Sequence, residues 1–203
     1  MVQFLGSNIG FHYDNYHFGV GSLVSVTQDA NHETKVLILT EKDQFLEFTN
    51  ELRSFQPDVV GFSSVSSQYV FIKELAIMTK EYLPDTITVC GGVHPTLSAD
   101  SLLECDSLDG FFRGESELSF VEFLEKIQNK LPYTDTENFA YVTGGKVISN
   151  PMKPLIQDLD ILPAPDKDVY PYHDTSILTT GAAPFFFTRG CPFTCTYCFN
   201  QNF

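Results

Sequence analysis

Val59-Val60-Gly61-Phe62 runs into Ser63-Ser64-Val65-Ser66-Ser67, and further on Ile87-Thr88-Val89-Cys90 runs into Gly91-Gly92-Val93-His94-Pro95-Thr96. Each stretch begins as a short apolar run without polar alternation, the signature of a strand buried on both faces. Each ends in small residues that turn the chain out of the strand. Between them Ile72, Leu75, Ala76 and Thr79 recur at helical spacing. A buried strand, a helix and a second buried strand form the right-handed crossover unit of a parallel sheet.

The same alternation extends outward. Val2-Gln3-Phe4-Leu5, Val36-Leu37-Ile38-Leu39 and Gly110-Phe111-Phe112 supply three more strand-like runs. Helical spacing recurs at Phe45, Phe48, Leu52 and Phe55, and again at Val121, Leu124, Ile127 and Leu131. Strand and helix thus alternate five times, which predicts an α/β fold with a Rossmann-like, doubly wound, five-stranded parallel sheet over residues 1–132. Such sheets bind ligands at the carboxyl ends of their strands. Residues 133–184 are expected to form a small antiparallel hairpin, Phe139-Ala140-Tyr141-Val142 and Lys146-Val147-Ile148 about Gly144-Gly145, followed by a linker rich in proline. Residues 185–203 hold seven aromatic residues and one charged residue, Arg189; Phe185-Phe186-Phe187-Thr188 reads as a buried strand entering a glycine turn.

Twelve Lys and Arg against 26 Asp and Glu leave a formal charge of -14 among 203 residues. Phosphate backbones require clustered cations, and the basic residues here are scattered, so nucleic acid is not an expected partner. No apolar run approaches the roughly 18 residues of a membrane span, and Met1-Val2-Gln3-Phe4-Leu5 lacks a basic leader segment. No membrane partner is expected, and the expected compartment is the cytosol. Five cysteines, an odd number, exclude a fully paired disulfide framework. Cys90 and Cys105 read as core residues.

Cys191, Cys195 and Cys198 form a C-x3-C-x2-C array on a loop after an apolar strand. Thiolates hold iron-sulfur clusters, and three ligands on a four-iron cluster leave one iron open to an outside molecule. The alternative is a zinc site completed by a histidine such as His173. At the other signal, paired glycines at Gly91-Gly92 either admit a ligand close to the backbone or simply make a tight turn. The serines after the third strand either donate hydrogen bonds into the same crevice or cap the next helix.

The cysteine spacing, with Tyr197 before the last cysteine and Asn200 after it, resembles the signature of the radical S-adenosylmethionine superfamily. The resemblance extends over essentially the whole chain. Five strands, the Gly91-Gly92-x-His94-Pro95-Thr96 turn, Arg113-Gly114-Glu115-Ser116-Glu117, Leu162-Pro163-Ala164-Pro165-Asp166 and Arg189-Gly190-Cys191-Pro192-Phe193-Thr194-Cys195 together resemble the B12-binding class of that superfamily. The resemblance implies an N-terminal Rossmann-like cobalamin domain followed by a partial (β/α) barrel, of which this stretch would hold only the first strand and the cluster loop and be inactive alone. It implies cobalamin bound by Ser63, Ser64, Gly91, Gly92, His94 and Thr96, and a 4Fe-4S cluster ligated by Cys191, Cys195 and Cys198. S-adenosylmethionine would lie beside Tyr197.

By the same resemblance the full-length protein is a radical enzyme, a methyltransferase or a cyclase. It would take a small-molecule substrate and an electron donor such as flavodoxin or ferredoxin. No residue stands out as a substrate acid or base. The family often has Gly-Glu-Gly-Glu where this chain has Gly114-Glu115-Ser116-Glu117, both glutamates suiting the first turn of a helix. Domains that ligate cobalt from below use Asp-x-His-x-x-Gly, whereas Asp14-Asn15-Tyr16-His17-Phe18-Gly19 sets the histidine one place late, so His17 is not an expected cobalt ligand. A second reading is a module that binds cobalamin or a nucleotide-like ligand without chemistry of its own. A receiver-type signalling domain shares the layout but needs an acidic cluster at the strand ends, where this chain has serines and Gly6-Ser7-Asn8.

Overall fold

The structure, a computed structural model, describes residues 2–4, 17–39, 42–164, 181, 188–198 and 200. The expected strand at 185–187 and His173 lie outside them. Five strands, β1 (Val2–Phe4), β2 (Leu37–Leu39), β3 (Val59–Ser63), β4 (Ile87–Gly91) and β5 (Gly110–Phe112), pair in parallel in the order β2-β1-β3-β4-β5. This is the doubly wound sheet expected from the apolar runs. Strand order reverses between β1 and β3, where such sheets place their ligand crevice.

Helices α1 (Phe18–Asp29), α2 (Phe45–Phe55), α3 (Tyr69–Tyr82), α4 (Val93–Leu97) and α5 (Glu117–Gln128) make the crossovers. Contacts between α2 and α3, and between α1 and α5, place the two pairs on opposite faces of the sheet. Strand alternation divides the side chains accordingly. Val60, Phe62, Cys90 and Phe111 join Phe48, Leu52, Ile72 and Leu75 in one core. Val89 and Phe112 join Phe120, Phe123 and Phe139 in the other. Phe48, Phe111, Phe123 and Phe139 are fully buried, each worth roughly 2–3 kcal/mol of transfer free energy. In the second core the Phe112 ring meets Phe120 and Phe123 edge-on at 5.2 Å, a geometry that adds about 0.5–1.5 kcal/mol per pair. Burial pushes the Cys90 and Cys105 thiols up from their ordinary pKa, as suits core residues.

Four features refine the sequence reading. The hairpin, β6 (Phe139–Thr143) and β7 (Lys146–Ser149), forms where expected and joins the sheet. β6 pairs antiparallel with β5 and extends the sheet to seven strands. Its two-residue turn has both Gly144 and Gly145 at positive φ, the mirror-image turn that matches strand twist. The crossover between β4 and β5 is only the five-residue α4 and a 3-10 segment, Ala99–Glu104. The stretch is rich in turn-favouring residues, Ser98, Asp100, Ser101, Asp106 and Ser107 among them, which disfavour a longer helix.

In α5 the buried apolar positions are Phe120 and Phe123, with Leu124 and Ile127 partly buried beside them. Leu131 lies beyond the helix end and is exposed. Finally, the start of the linker is tied down. Asn138 N donates to Pro151 O at 2.9 Å, Asn150 N to Phe139 O at 3.0 Å, and Ile156 N to Glu115 Oε2 at 2.9 Å.

Candidate functional site

The carboxyl ends of β3, β4 and β5 meet at one edge. Ser63 pairs with Gln3 of β1 on one side and Gly91 of β4 on the other, so it sits at the reversal of strand order. Gly92 follows with φ +100°. A Cβ there would stand 2.7 Å from Ser64 O and 3.4 Å from Ser63 Oγ. Only glycine satisfies both the backbone angle and the close approach of the two strand ends. Ser64 N donates to Gly91 O at 3.0 Å, and His94 N donates to Ser64 O at 3.1 Å. The glycine loop and the serine loop are thus stitched together.

The six residues expected to line a cobalamin pocket are brought to this one edge, in two roles. Ser64, His94 and Thr96 are buried and internally satisfied. Ser64 Oγ donates to Val65 O at 2.8 Å. Thr96 Oγ1 donates to Gly92 O at 2.8 Å and accepts from Gly114 N at 2.9 Å. His94 stacks on Tyr69 at 4.1 Å, with Nδ1 3.1 Å from Ser66 Oγ and Nε2 2.8 Å from Ser101 Oγ. Ser101 spends its proton on Ser98 O, so Nε2 carries the hydrogen and Nδ1 accepts. Ser63, half-buried and without a side-chain hydrogen bond among the described residues, and Gly91 and Gly92 are the three left accessible at this edge.

Burial lowers the His94 pKa below 6.5; Lys73 acts the same way and Glu104 opposes it. His17 is lowered by burial too. A histidine kept neutral in the fold binds fewer protons than in the unfolded chain, so stability rises with pH across that window. It is complete above 6.5 and lost as pH falls below it. Thermal melting is expected to show this loss, and His94→Gln to flatten it. An unchanged slope in that variant would leave the acid sensitivity to His17.

Cysteines 191, 195 and 198 form no disulfide; the first two are exposed and Cys198 is half-buried. The Cys198 N–H donates to Cys195 O at 3.0 Å, closing a turn between them. Among the described residues no three His, Cys, Asp or Glu side chains stand together as a metal-binding group. Three thiols on an exposed loop entered through Gly190 at positive φ are a suitable donor set for an iron-sulfur cluster, whose binding would draw them together. Tyr197 is 91% exposed.

Two polar centres were not foreseen. Asn138, 1% exposed with φ +65°, donates through Nδ2 to Arg113 O at 2.7 Å and Glu115 O at 3.1 Å. Its Oδ1 accepts from Ser119 Oγ at 2.8 Å and Lys153 N at 3.0 Å. Arg189, before the cysteines, pairs with Glu117 at 2.8 Å and Glu115 at 3.4 Å. Burial alone would lower the arginine's pKa, but the two carboxylates outweigh it and the net change is upward. Glu115 and Glu117 were visible as a motif in sequence; their distant partner was not.

The chain matches the B12 binding domain family over residues 8–124, more than half its length, and belongs to that family. An uncharacterized methyltransferase of Pyrococcus horikoshii is 29% identical over 89% of this chain and 39% of its own. The anaerobic magnesium-protoporphyrin IX monomethyl ester cyclase of Rubrivivax gelatinosus is 29% identical over 75% of this chain and 29% of its own. The chain therefore spans well under half the length of these curated relatives. Among solved structures, the cobalamin-dependent S-adenosylmethionine radical enzyme OxsB, with aqua-cobalamin and S-adenosylmethionine bound, aligns with a TM-score of 0.66. It is 18% identical, covering 87% of this chain and 24% of that one, and it shares the fold. No helix among the described residues is long and apolar enough to cross a membrane.

Proposed function

We propose that the chain is the cobalamin-binding and cluster-binding part of a cobalamin-dependent radical S-adenosylmethionine enzyme. The observation that carries this reading is the family match over residues 8–124, joined to an edge where an exposed Gly92 stands beside a Ser63 hydroxyl with no hydrogen bond among the described residues. Ser63, Gly91 and Gly92 would meet the ligand. Ser64, His94 and Thr96 would hold the two loops in place. Cys191, Cys195 and Cys198 would ligate a 4Fe-4S cluster, with Tyr197 beside S-adenosylmethionine. Bound together, the groups would supply reductive cleavage of the sulfonium and a carrier for a methyl group or a related carbon-centred reaction. The full-length protein would then be a methyltransferase or cyclase acting on a small molecule, fed by an electron donor such as flavodoxin or ferredoxin. The reading fits a cytosolic setting, where thiols stay reduced.

Anaerobic reconstitution with iron and sulfide tests the cluster. The wild-type protein is expected to gain the broad visible absorbance of a four-iron cluster, and Cys195→Ala to lose nearly all of it. A colourless wild-type protein that retains zinc would overturn the assignment, and would leave a cobalamin-binding module.

A further inference from the structure

We propose that Arg189 is a positioning residue, clamping the approach to the cysteine loop onto the turn between β5 and α5 through Glu117 and Glu115. The inference deepens the proposed function, on which it rests for the role of the cysteines. The Glu117 side chain is only 7% exposed, and a carboxylate so placed needs a cationic partner and filled hydrogen-bond sites. Among the described residues, Arg189 Nη2 at 2.8 Å is its ion-pair partner. Ser22 of α1 completes the site: its Oγ donates to Glu117 Oε1 at 3.0 Å and accepts from Arg189 Nη2 at 3.2 Å. Arg189 Nη1 reaches the second carboxylate, Glu115. A planar guanidinium can divide its nitrogens between two carboxylates and a hydroxyl, which a lysine ammonium cannot reproduce.

The turn that Arg189 grips is itself fixed. Asn138 Nδ2 holds Glu115 O, and Ile156 N occupies Glu115 Oε2. Gly114 N donates to Thr96 Oγ1, which donates in turn to Gly92 O. Hydrogen bonds, the Gly114-Glu115 peptide and an ion pair therefore connect the glycine edge to the residue two places before Cys191. The cysteines are held in register with the expected cobalamin face by this contact, between segments far apart in sequence.

The test uses the full-length protein with Arg189→Gln, Arg189→Lys, Glu117→Gln and the double variant Arg189→Gln/Glu117→Gln. In the ligand-free, iron-free protein, hydrogen exchange of residues 190–198 is expected to accelerate about tenfold in either single Gln variant. The double variant is expected to be no faster than a single, since the two side chains act as one unit, and Arg189→Lys to fall between. Affinity for hydroxocobalamin should stay within about twofold of wild type, because the glycine edge is intact. After reconstitution, S-adenosylmethionine should alter the electron paramagnetic resonance of the reduced cluster less in Arg189→Gln than in wild type, with partial recovery in Arg189→Lys. Exchange at 190–198 equal to wild type in both single Gln variants would overturn the clamp, as would additive acceleration in the double variant. If Arg189→Gln fails to fold, Glu117→Gln and Arg189→Lys decide on the same readout. Failure of the wild-type protein to assemble a cluster would count against the proposed function, and the exchange data would still judge the clamp.

Discussion

Gly92→Val is expected to remove hydroxocobalamin binding while leaving the rest of the sheet folded. The first added carbon would stand 2.7 Å from Ser64 O and 3.0 Å from Ser64 N, atoms of a backbone already held by the hydrogen bonds of Ser64 N to Gly91 O and of His94 N to Ser64 O. The φ of +100° would also be strained for any side chain. Strain and overpacking together cost about 3 kcal/mol or more. The β3 and β4 ends would part to relieve it, moving Ser63, Ser64 and Thr96 out of register. An affinity loss of at least about a hundredfold is expected. Gly92→Ala, with the same φ penalty but no branch, should lose less. Absorbance titration of both variants, with a thermal melt alongside, checks the ranking. Undiminished binding in Gly92→Val would remove the glycine edge from the site.

The largest expected stability effect is at Asn138. Replacement by Ala deletes two donated and two accepted hydrogen bonds in a site that is 1% exposed. It leaves the carbonyls of Arg113 and Glu115 without that donor, and loses the residue type best suited to φ +65° after glycine. A cost of about 3 kcal/mol is expected, or roughly 10 °C in melting temperature for a chain of this size. Asn138→Asp separates shape from chemistry. It keeps the volume and tolerates the backbone angle, but turns a carboxylate oxygen toward two carbonyl oxygens, and should be at least as damaging. If either variant melted with the wild-type protein, Asn138 would be no more than a loop residue. Because Asn138 also holds Lys153 N, these variants should loosen the start of the linker first.

How much of this was legible in the chain follows from the range of each interaction. Val59-Val60-Gly61-Phe62 and Ile87-Thr88-Val89-Cys90 announce themselves because a strand buried on both faces has no polar alternation to confuse it. Gly91-Gly92 marks a turn, and glycine suits the left-handed φ at Gly92, but that the Ser64 backbone fills the space beside it was not legible. That β6 would pair with β5 was not legible, since a hairpin's pattern describes its own two strands and not the edge it joins. On α5, Leu124 and Ile127 pack against the core as the spacing predicts, but the buried places went to Phe120 and Phe123 and not to Val121 and Leu131. Val121 and Leu131 fit the apolar spacing as well as Phe120 and Phe123 do, and only packing against Phe112 and Phe139 decides between them.

The candidate site divides the same way. Ser63, Ser64, Gly91, Gly92, His94 and Thr96 were named by the family resemblance, at two strand ends. Which of their side chains are engaged within the fold required the partners Ser66, Ser101 and Gly114. Asn138 and the pairing of Arg189 with Glu115 and Glu117 escaped because each rests on contacts distant in sequence.

Cobalamin is proposed to bind at the carboxyl edge of β3, β4 and β5. Titration of the ligand-free protein with hydroxocobalamin, followed by absorbance and equilibrium dialysis, tests this. Saturation at one cobalamin per chain, lost in Gly92→Val, is the expected result. Binding that never saturates, or that is indifferent to Gly92→Val, would contradict the account and leave a Rossmann-like scaffold without its proposed ligand.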